Sequence, residues 1–406
     1  MTRWFFLVVL TIGASPLLGA ELRLDEAIER ARNASPDLRA AAVDLEGARA
    51  RLGRAQLPAA NPVLSGDIAR HTEAGEATID RGVALAQEVE VGGQRGLRIA
   101  AARLDVARAT HALADRRRRV DTDVRRAFFT LAARSRRRAV AADRAAVAER
   151  LADAVRRRAR AGDAAALDQE LATVEAARAA QALAVAVSDE ADATAALAVA
   201  IGARVGDELT VSAPDPDLGD VGPAAALVAR ALADRPDLAA ARDEEARLST
   251  EAVLARRTGI VPNPVVKAFY RQERFNERIA GGELSIPLPI WNREQATETS
   301  LHAAAAAARA DALRLAGEVE RQVHVALARR AAAAAAWERY RRETRPAVAS
   351  AREHLRRGAT AGYVGVPETL VQEDRLFQAE ELEIDAWRDA HLATADLVDA
   401  LGSAAP

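Results

Sequence analysis

Val261–Arg293, VPNPVVKAFYRQERFNERIAGGELSIPLPIWNR, is nearly the only stretch in the second half of the chain whose pattern is not helical. Prolines open and close it. From Val265 to Arg274, and again from Ile279 to Ile290, side chains alternate with period two. In the second run Ala280, Gly282, Leu284, Ile286, Leu288 and Ile290 fall on one face, Glu283 and Ser285 on the other. That is the period of a strand, not the 3.6 of a helix. The runs predict a hairpin turning near Phe275-Asn276-Glu277. An isolated two-stranded ribbon is marginal in water, and this hairpin has no second layer of its own to cover its apolar face. Each run is about 10 residues long, the length a tilted strand needs to cross the hydrocarbon core of a bilayer. A small soluble hairpin packed on a helix reads the same window equally well.

A second hairpin lies upstream. After Pro58 and Asn61-Pro62 a strand-like run covers Val63 to about Arg70, followed by a polar tip, His71–Glu76, and a return run from about Thr78 to Val91. Ile79, Val83, Leu85, Val89 and Val91 share one face of it, interrupted by Arg81 and Gln87. Asp80, Gly82, Ala84, Ala86, Glu88 and Glu90 share the other. Apolar residues against small or acidic ones is the alternation of a strand between lipid and a wet lumen.

Everything else reads as helix. Leu24–Arg32 is short and amphipathic, and Pro36 starts a second helix that runs to about Leu57. From about Gln94 to Arg160 there is no proline, and Leu97, Ala101, Leu104, Val120, Val124, Phe128 and Leu131 recur at helical spacing. About 65 residues at ~1.5 Å each make a rod near ~100 Å long. It breaks at Ala161-Gly162-Asp163, and a return helix covers about 164–202.

The pattern then starts again after an irregular linker over 203–222. Ser35-Pro36-Asp37-Leu38 returns as Arg235-Pro236-Asp237-Leu238, Asn61-Pro62-Val63 as Asn263-Pro264-Val265, Gly162 as Gly362, and Ala200-Ile201-Gly202 as Ala400-Leu401-Gly402. The expected organisation is therefore one repeat over 21–202 and a second over 223–402, with a tail at 403–406. Strands are expected at about 63–70, 78–91, 265–274 and 279–290. The second long helix, about 292–358, contains Pro346, which predicts a kink or a split before the return helix at 366–402. The fold class is mainly α with a small β part. Two hairpins supply four strands, and the smallest closed membrane barrels have about eight. A strand edge cannot stay open in lipid, so a spanning barrel requires several copies of the chain.

Composition narrows the function. Met1–Ala20, MTRWFFLVVLTIGASPLLGA, has one basic residue, an apolar run and small residues before Glu21, the build of a secretory signal peptide cut after Ala20. Leu18 is a poor residue three places before that cut. No later stretch offers ~18 uncharged apolar residues, so any spanning is by strands. There is no cysteine, which removes disulfides, thiolate metal sites, cysteine nucleophiles and a lipid-modified cysteine. A net charge of −2, arginine runs interleaved with acids, and 3% aromatics give no footprint for nucleic acid.

A twice-repeated helix, hairpin and long-helix arrangement behind a signal peptide resembles the TolC-type outer-membrane factors of tripartite efflux pumps, over essentially the whole mature chain. Two motifs sharpen the resemblance: Gln87–Arg95 (QEVEVGGQR) and Ser285–Arg293 (SIPLPIWNR) are similar to the strand-to-helix junctions of the CzcC-like subgroup, which serves cobalt, zinc and cadmium efflux. The junction residues are Gly92, Gly93, Arg95, Asn292 and Arg293. The resemblance implies long helical hairpins forming a periplasmic α-barrel, a homotrimer with roughly twelve strands in one barrel, contact with outer-membrane lipid, and two partners: a periplasmic adaptor and an inner-membrane resistance-nodulation-division pump. It also implies that the helix breaks are adaptor-contacting or gating tips, with Gly162, Leu167 and Asp168 in the first and Gly362, Tyr363, Gly365, Glu368 and Leu370 in the second. Acids at a helix N-terminus, favoured by the dipole, explain Asp168 and Glu368 as well. The first tip, Asp163–Ala166, is blander than the second, which weakens any reading of adaptor choice.

Trp291 stands where the last strand leaves the lipid band and is a candidate interface anchor; a packed helix-start tryptophan is the plain alternative. Trp337 and Trp387 read as packing residues. The six histidines are scattered with no i, i+4 pair, so no metal site and no cofactor is expected. Gly92-Gly93-Gln94-Arg95-Gly96 lacks the spacing and lysine of nucleotide-binding loops. No catalytic arrangement is present, so the expectation is a channel exporting heavy-metal cations and not an enzyme. A multidrug or protein-secretion duct of the same build is the first alternative, and a soluble periplasmic coiled-coil scaffold the second.

Overall fold

The structure, a computed structural model, describes residues 21–73, 76–273, 277–361 and 363–402. The leader expected at 1–20, Phe275 and Asn276 of the expected turn, Gly362 and the tail 403–406 lie outside the described residues. In chain order the elements are helices α1 (Leu24–Ala34) and α2 (Pro36–Gln56), strands β1 (Val63–Glu73) and β2 (Glu76–Glu88), and helices α3 (Gln94–Arg160), α4 (Ala166–Ile201), α5 (Ala224–Asp234) and α6 (Pro236–Ile260). Strands β3 (Val265–Glu273) and β4 (Glu277–Ser285) follow, then helices α7 (Gln295–Arg339), α8 (Arg345–Thr360) and α9 (Val366–Leu401).

Proline sets several boundaries. Pro36 and Pro236 open α2 and α6 where the missing N–H costs nothing, and the residues before them, Ser35 and Arg235, are pushed to ψ of 122° and 120°. The long helix expected from about residue 292 starts at Gln295 and is split, because a π turn at Tyr340–Thr344 separates α7 from α8. Pro346 supplies the cause. It offers no N–H to the carbonyl of Arg342 and its ring crowds that carbonyl, so the backbone widens just upstream.

The strands also depart from the limits that alternation suggests. β1 extends to Glu73 and β2 begins at Glu76, while β2 stops at Glu88 and β4 runs from Glu277 only to Ser285; Arg274, the expected end of β3, lies outside the described residues. Ile286–Ile290 keep the alternation but stay outside the sheet, since Pro287 and Pro289 have no N–H to give a ladder. The four strands form one antiparallel sheet in the order β1-β2-β3-β4.

Two compact units make up the chain. Among the described residues the first comprises 21–35, Val120–Gly219 and Arg330–Ala395. Its core gathers Ile28 of α1, Phe128 and Leu131 of α3, Leu197 of α4, Trp337 of α7 and Trp387 of α9. Trp387 donates its indole N–H to the Pro214 carbonyl at 3.2 Å, and the Arg136 guanidinium lies 3.8 Å above its ring. The second unit comprises, among the described residues, Pro36–Arg119, Asp220–Arg329 and 396–402 and holds the sheet. Its helical core packs Leu227 of α5 and Val319 and Val323 of α7 with Leu397 and Leu401 of α9. Arg235 is buried there, paired with Asp237 at 2.5 Å and donating to Gln322 at 2.6 Å.

Candidate membrane sheet and helix tips

The strand register sorts the sheet residues into two faces. Leu64 and Leu85 pair across β1 and β2, Val83 pairs with Tyr270 across β2 and β3, and Val266 pairs with Leu284 across β3 and β4. With Ile68 these make one apolar face, interrupted by Arg81 opposite Ile68, and none of the described residues covers it: Leu64 is 77% exposed and Ile68 79%. The opposite face carries Ser65, Asp67, His71, Asp80, Lys267 and Glu283. There His71 reaches Asp80 at 2.8 Å and Lys267 reaches Glu283 at 3.0 Å. The burial order of a water-soluble sheet is inverted on the apolar side, and that inversion calls for an apolar solvent or partner.

Below the strands, four helix ends meet and the junction motifs close them. Gln94, the first residue of α3, is only 2% exposed. Its amide oxygen accepts from the Gly92 N–H at 2.7 Å and its amide N–H donates to the Val261 carbonyl at 2.6 Å, tying the β2–α3 link to the end of α6. Gly93 takes φ of 77°, the left-handed turn this link needs. Arg95 donates to the Gln56 carbonyl, and Arg98 donates to the Ala55 and Leu57 carbonyls while pairing with Glu90 at 2.8 Å. On the other side Asn292 accepts from the Glu294 N–H, Arg293 donates to the Pro289 carbonyl at 3.0 Å, and a methyl built on Gly259 of α6 would lie 1.9 Å from the Arg293 carbonyl oxygen. Trp291 projects from this link 86% exposed. Gln94 lies inside the Gln87–Arg95 motif, although its amide bonds had no signal of their own, and nothing in the sequence marked Gly259.

The expected tip residues other than Gly362, which lies outside the described residues, stand at the ends of helices in the first unit. Gly162 turns the chain after α3 with φ of 83°. Leu167 is exposed and Asp168 half-buried in the first turn of α4. Tyr363 is 88% exposed, the Gly365 carbonyl accepts from the Thr369 N–H, and Glu368 is exposed in the first turn of α9. Leu370 lines a groove of about 380 Å³ with Leu171 and Val174 of α4 and Pro367 and Val371 of α9. The starts of α4 and α9 are thereby brought together. Arg144 on α3 clasps both, reaching Glu175 of α4 at 2.8 Å and Asp374 of α9 at 2.5 Å. Beside it, burial raises the carboxyl of Glu373 against the opposing pull of Arg352. In the core of the same unit burial holds His391 down to about 4, although its Nε2 lies 3.1 Å from the Pro214 carbonyl.

No family model and no curated protein matches the chain. Solved structures do. CusC, whose crystal structures concern folding and transmembrane channel formation, aligns over 95% of this chain and 93% of its own at 17% identity, with a TM-score of 0.76. The open state of the MtrE outer membrane channel of Neisseria gonorrhoeae aligns over 94% and 89% at 19% identity and 0.74. The outer membrane protein VceC of Vibrio cholerae aligns over 94% and 96% at 18% identity and 0.73. The chain has the fold of TolC-type outer-membrane channels. Near-complete coverage in both directions means that this fold accounts for the sheet, the junctions and the helix tips together.

Proposed function

We propose that the protein is the outer-membrane channel of a tripartite efflux pump of the resistance-nodulation-division type. It acts as a homotrimer, lies in the outer membrane and extends into the periplasm, where it meets a periplasmic adaptor and the inner-membrane pump. The uncovered apolar face of the sheet carries this reading, because a soluble scaffold would bury Leu64, Ile68 and Leu284. The TolC-type fold supports it. The duct is passive: energy is supplied at the inner membrane, and the polar face of the sheet, with Asp67, Asp80, Lys267 and Glu283, lines a wet path. The tip residues from Gly162 to Asp168 and from Gly362 to Leu370 contact the adaptor or gate the closed end, and Trp291 anchors the barrel at the lipid interface.

Heavy-metal cations are the proposed cargo, on the strength of the two junction motifs. Export of drugs or proteins is the second reading. Deleting the gene and measuring tolerance to zinc, cobalt, cadmium, copper and dyes separates them. Loss of metal tolerance supports cation export, and unchanged metal tolerance beside new dye sensitivity overturns it.

A further inference from the structure

The links between sheet and helices carry two layers of exposed side chains that the channel function does not use. Leu57, Val91, Ile260, Leu288, Ile290 and Trp291 are between 56% and 86% exposed. They sit outside the strands, and Val91, Leu288 and Ile290 keep the alternation of the apolar sheet face. On the four helix ends that meet there stand five exposed arginines: Arg54 on α2, Arg95 on α3, Arg256 and Arg257 on α6, and Arg293 just before α7. None has a carboxylate partner among the described residues; Glu294 follows Arg293 in the chain without pairing with it, and three other nearby carboxylates are engaged elsewhere. Glu90 holds Arg98, Glu88 accepts from Asn263 at 2.7 Å, and Glu251 holds Arg247 at 2.6 Å.

Internal bonding leaves these guanidiniums with spare donors. Arg54 gives to the Pro58 and Ala59 carbonyls, Arg95 to Gln56 and Arg293 to Pro289, one or two bonds from a group with five N–H donors. Arg256 and Arg257 give none that the fold requires. A helix C-terminus favours a cation, which accounts for Arg257. Arg95 and Arg293 stand at helix N-termini, where the same dipole disfavours one. A hydrocarbon-compatible band, one tryptophan, then a row of unneutralised guanidiniums follows the layering of a bilayer from acyl chains to phosphates.

We propose that this collar binds anionic glycerophospholipid of the leaflet it faces, with the phosphates taken by Arg54, Arg95, Arg256, Arg257 and Arg293 and the acyl chains laid on the Ile286–Trp291 link. The proposal rests on the membrane reading of the sheet. A guanidinium meets a phosphate through two parallel N–H donors, which a zwitterionic choline headgroup leaves partly compensated by its own cation.

Trp291 is the reporter. Of the tryptophans among the described residues, Trp337 and Trp387 are buried in the other unit, so a Trp291→Phe variant isolates the signal from the link. The full chain is reconstituted in vesicles of phosphatidylcholine containing brominated phosphatidylcholine or brominated phosphatidylglycerol, and quenching is followed with lipid fraction. Brominated phosphatidylglycerol is expected to associate about fivefold more strongly than brominated phosphatidylcholine, a preference that falls in 0.5 M salt. Arg256→Gln with Arg257→Gln, which break no internal bond, should reduce it, and Gln at all five positions should abolish it. Equal quenching by the two lipids in the unaltered chain, or a preference that survives all five substitutions, overturns the collar while leaving the membrane reading intact. No quenching by either lipid overturns both.

Discussion

At the scale of single residues, the junction below the sheet depends on polar and steric details. Gln94 is buried and both ends of its amide are used, so Gln94→Leu leaves the Gly92 N–H and the Val261 carbonyl without partners. The expected cost is about 1–3 kcal/mol, read as a lower urea midpoint of the solubilised protein. Gly259→Ala meets backbone and not a movable side chain, so it should destabilise by a similar ~1–3 kcal/mol. An unchanged midpoint in either variant would contradict the close packing described. His391 gives the pH signature. Its folded value is about 4 against 6.5 when unfolded, because it is desolvated between Phe129, Trp387 and Arg136. The unfolded chain therefore binds the proton first as pH falls. This contribution to stability is complete above pH 6.5 and is lost progressively down to about 4, at most about 3 kcal/mol. His391→Phe should flatten the wild-type decline in that window, and parallel curves for the two proteins would refute the assignment.

At the scale of elements, period-two alternation identified all four strands, and it misplaced their ends for a physical reason. Alternation records which face a residue points to, and Ile286, Leu288 and Ile290 still point outward after the ladder has ended. Whether a strand continues depends on backbone N–H groups, which Pro287 and Pro289 lack. The split of the second long helix was legible in Pro346, but the π turn at Tyr340–Thr344 was not, since no composition signal marks the residues upstream of a proline. Pro346→Ala should let α7 and α8 join as one α-helix, and amide exchange over 340–346 should slow. Exchange as fast as in the parent would show that something other than the proline holds the turn open. The break after α3 was visible in Gly162. The clasp of Arg144 on Glu175 and Asp374 was not, because the three lie far apart in sequence and arginine runs look alike whether paired or solvated.

At the scale of the whole molecule, the sheet has an apolar face and two edges, β1 and β4, that none of the described residues covers or pairs. Within one chain those edges are three strand spacings apart, about 14 Å, beyond the ~7 Å reach of a disulfide between Cα atoms. Only a second copy can bring β1 beside β4. The chain has no cysteine, so introduced pairs report without background. The decisive measurement is oxidation of membranes carrying Ser65→Cys with Glu283→Cys, and the same pair moved two residues along β4 to Gly281 or Ser285, which keeps both side chains on one face, followed by mass analysis. Covalent dimers and trimers at one or more rungs are predicted. Monomers at every rung, with a monomeric mass for the solubilised protein, would contradict the claim that this sheet is sheltered by joining copies of itself.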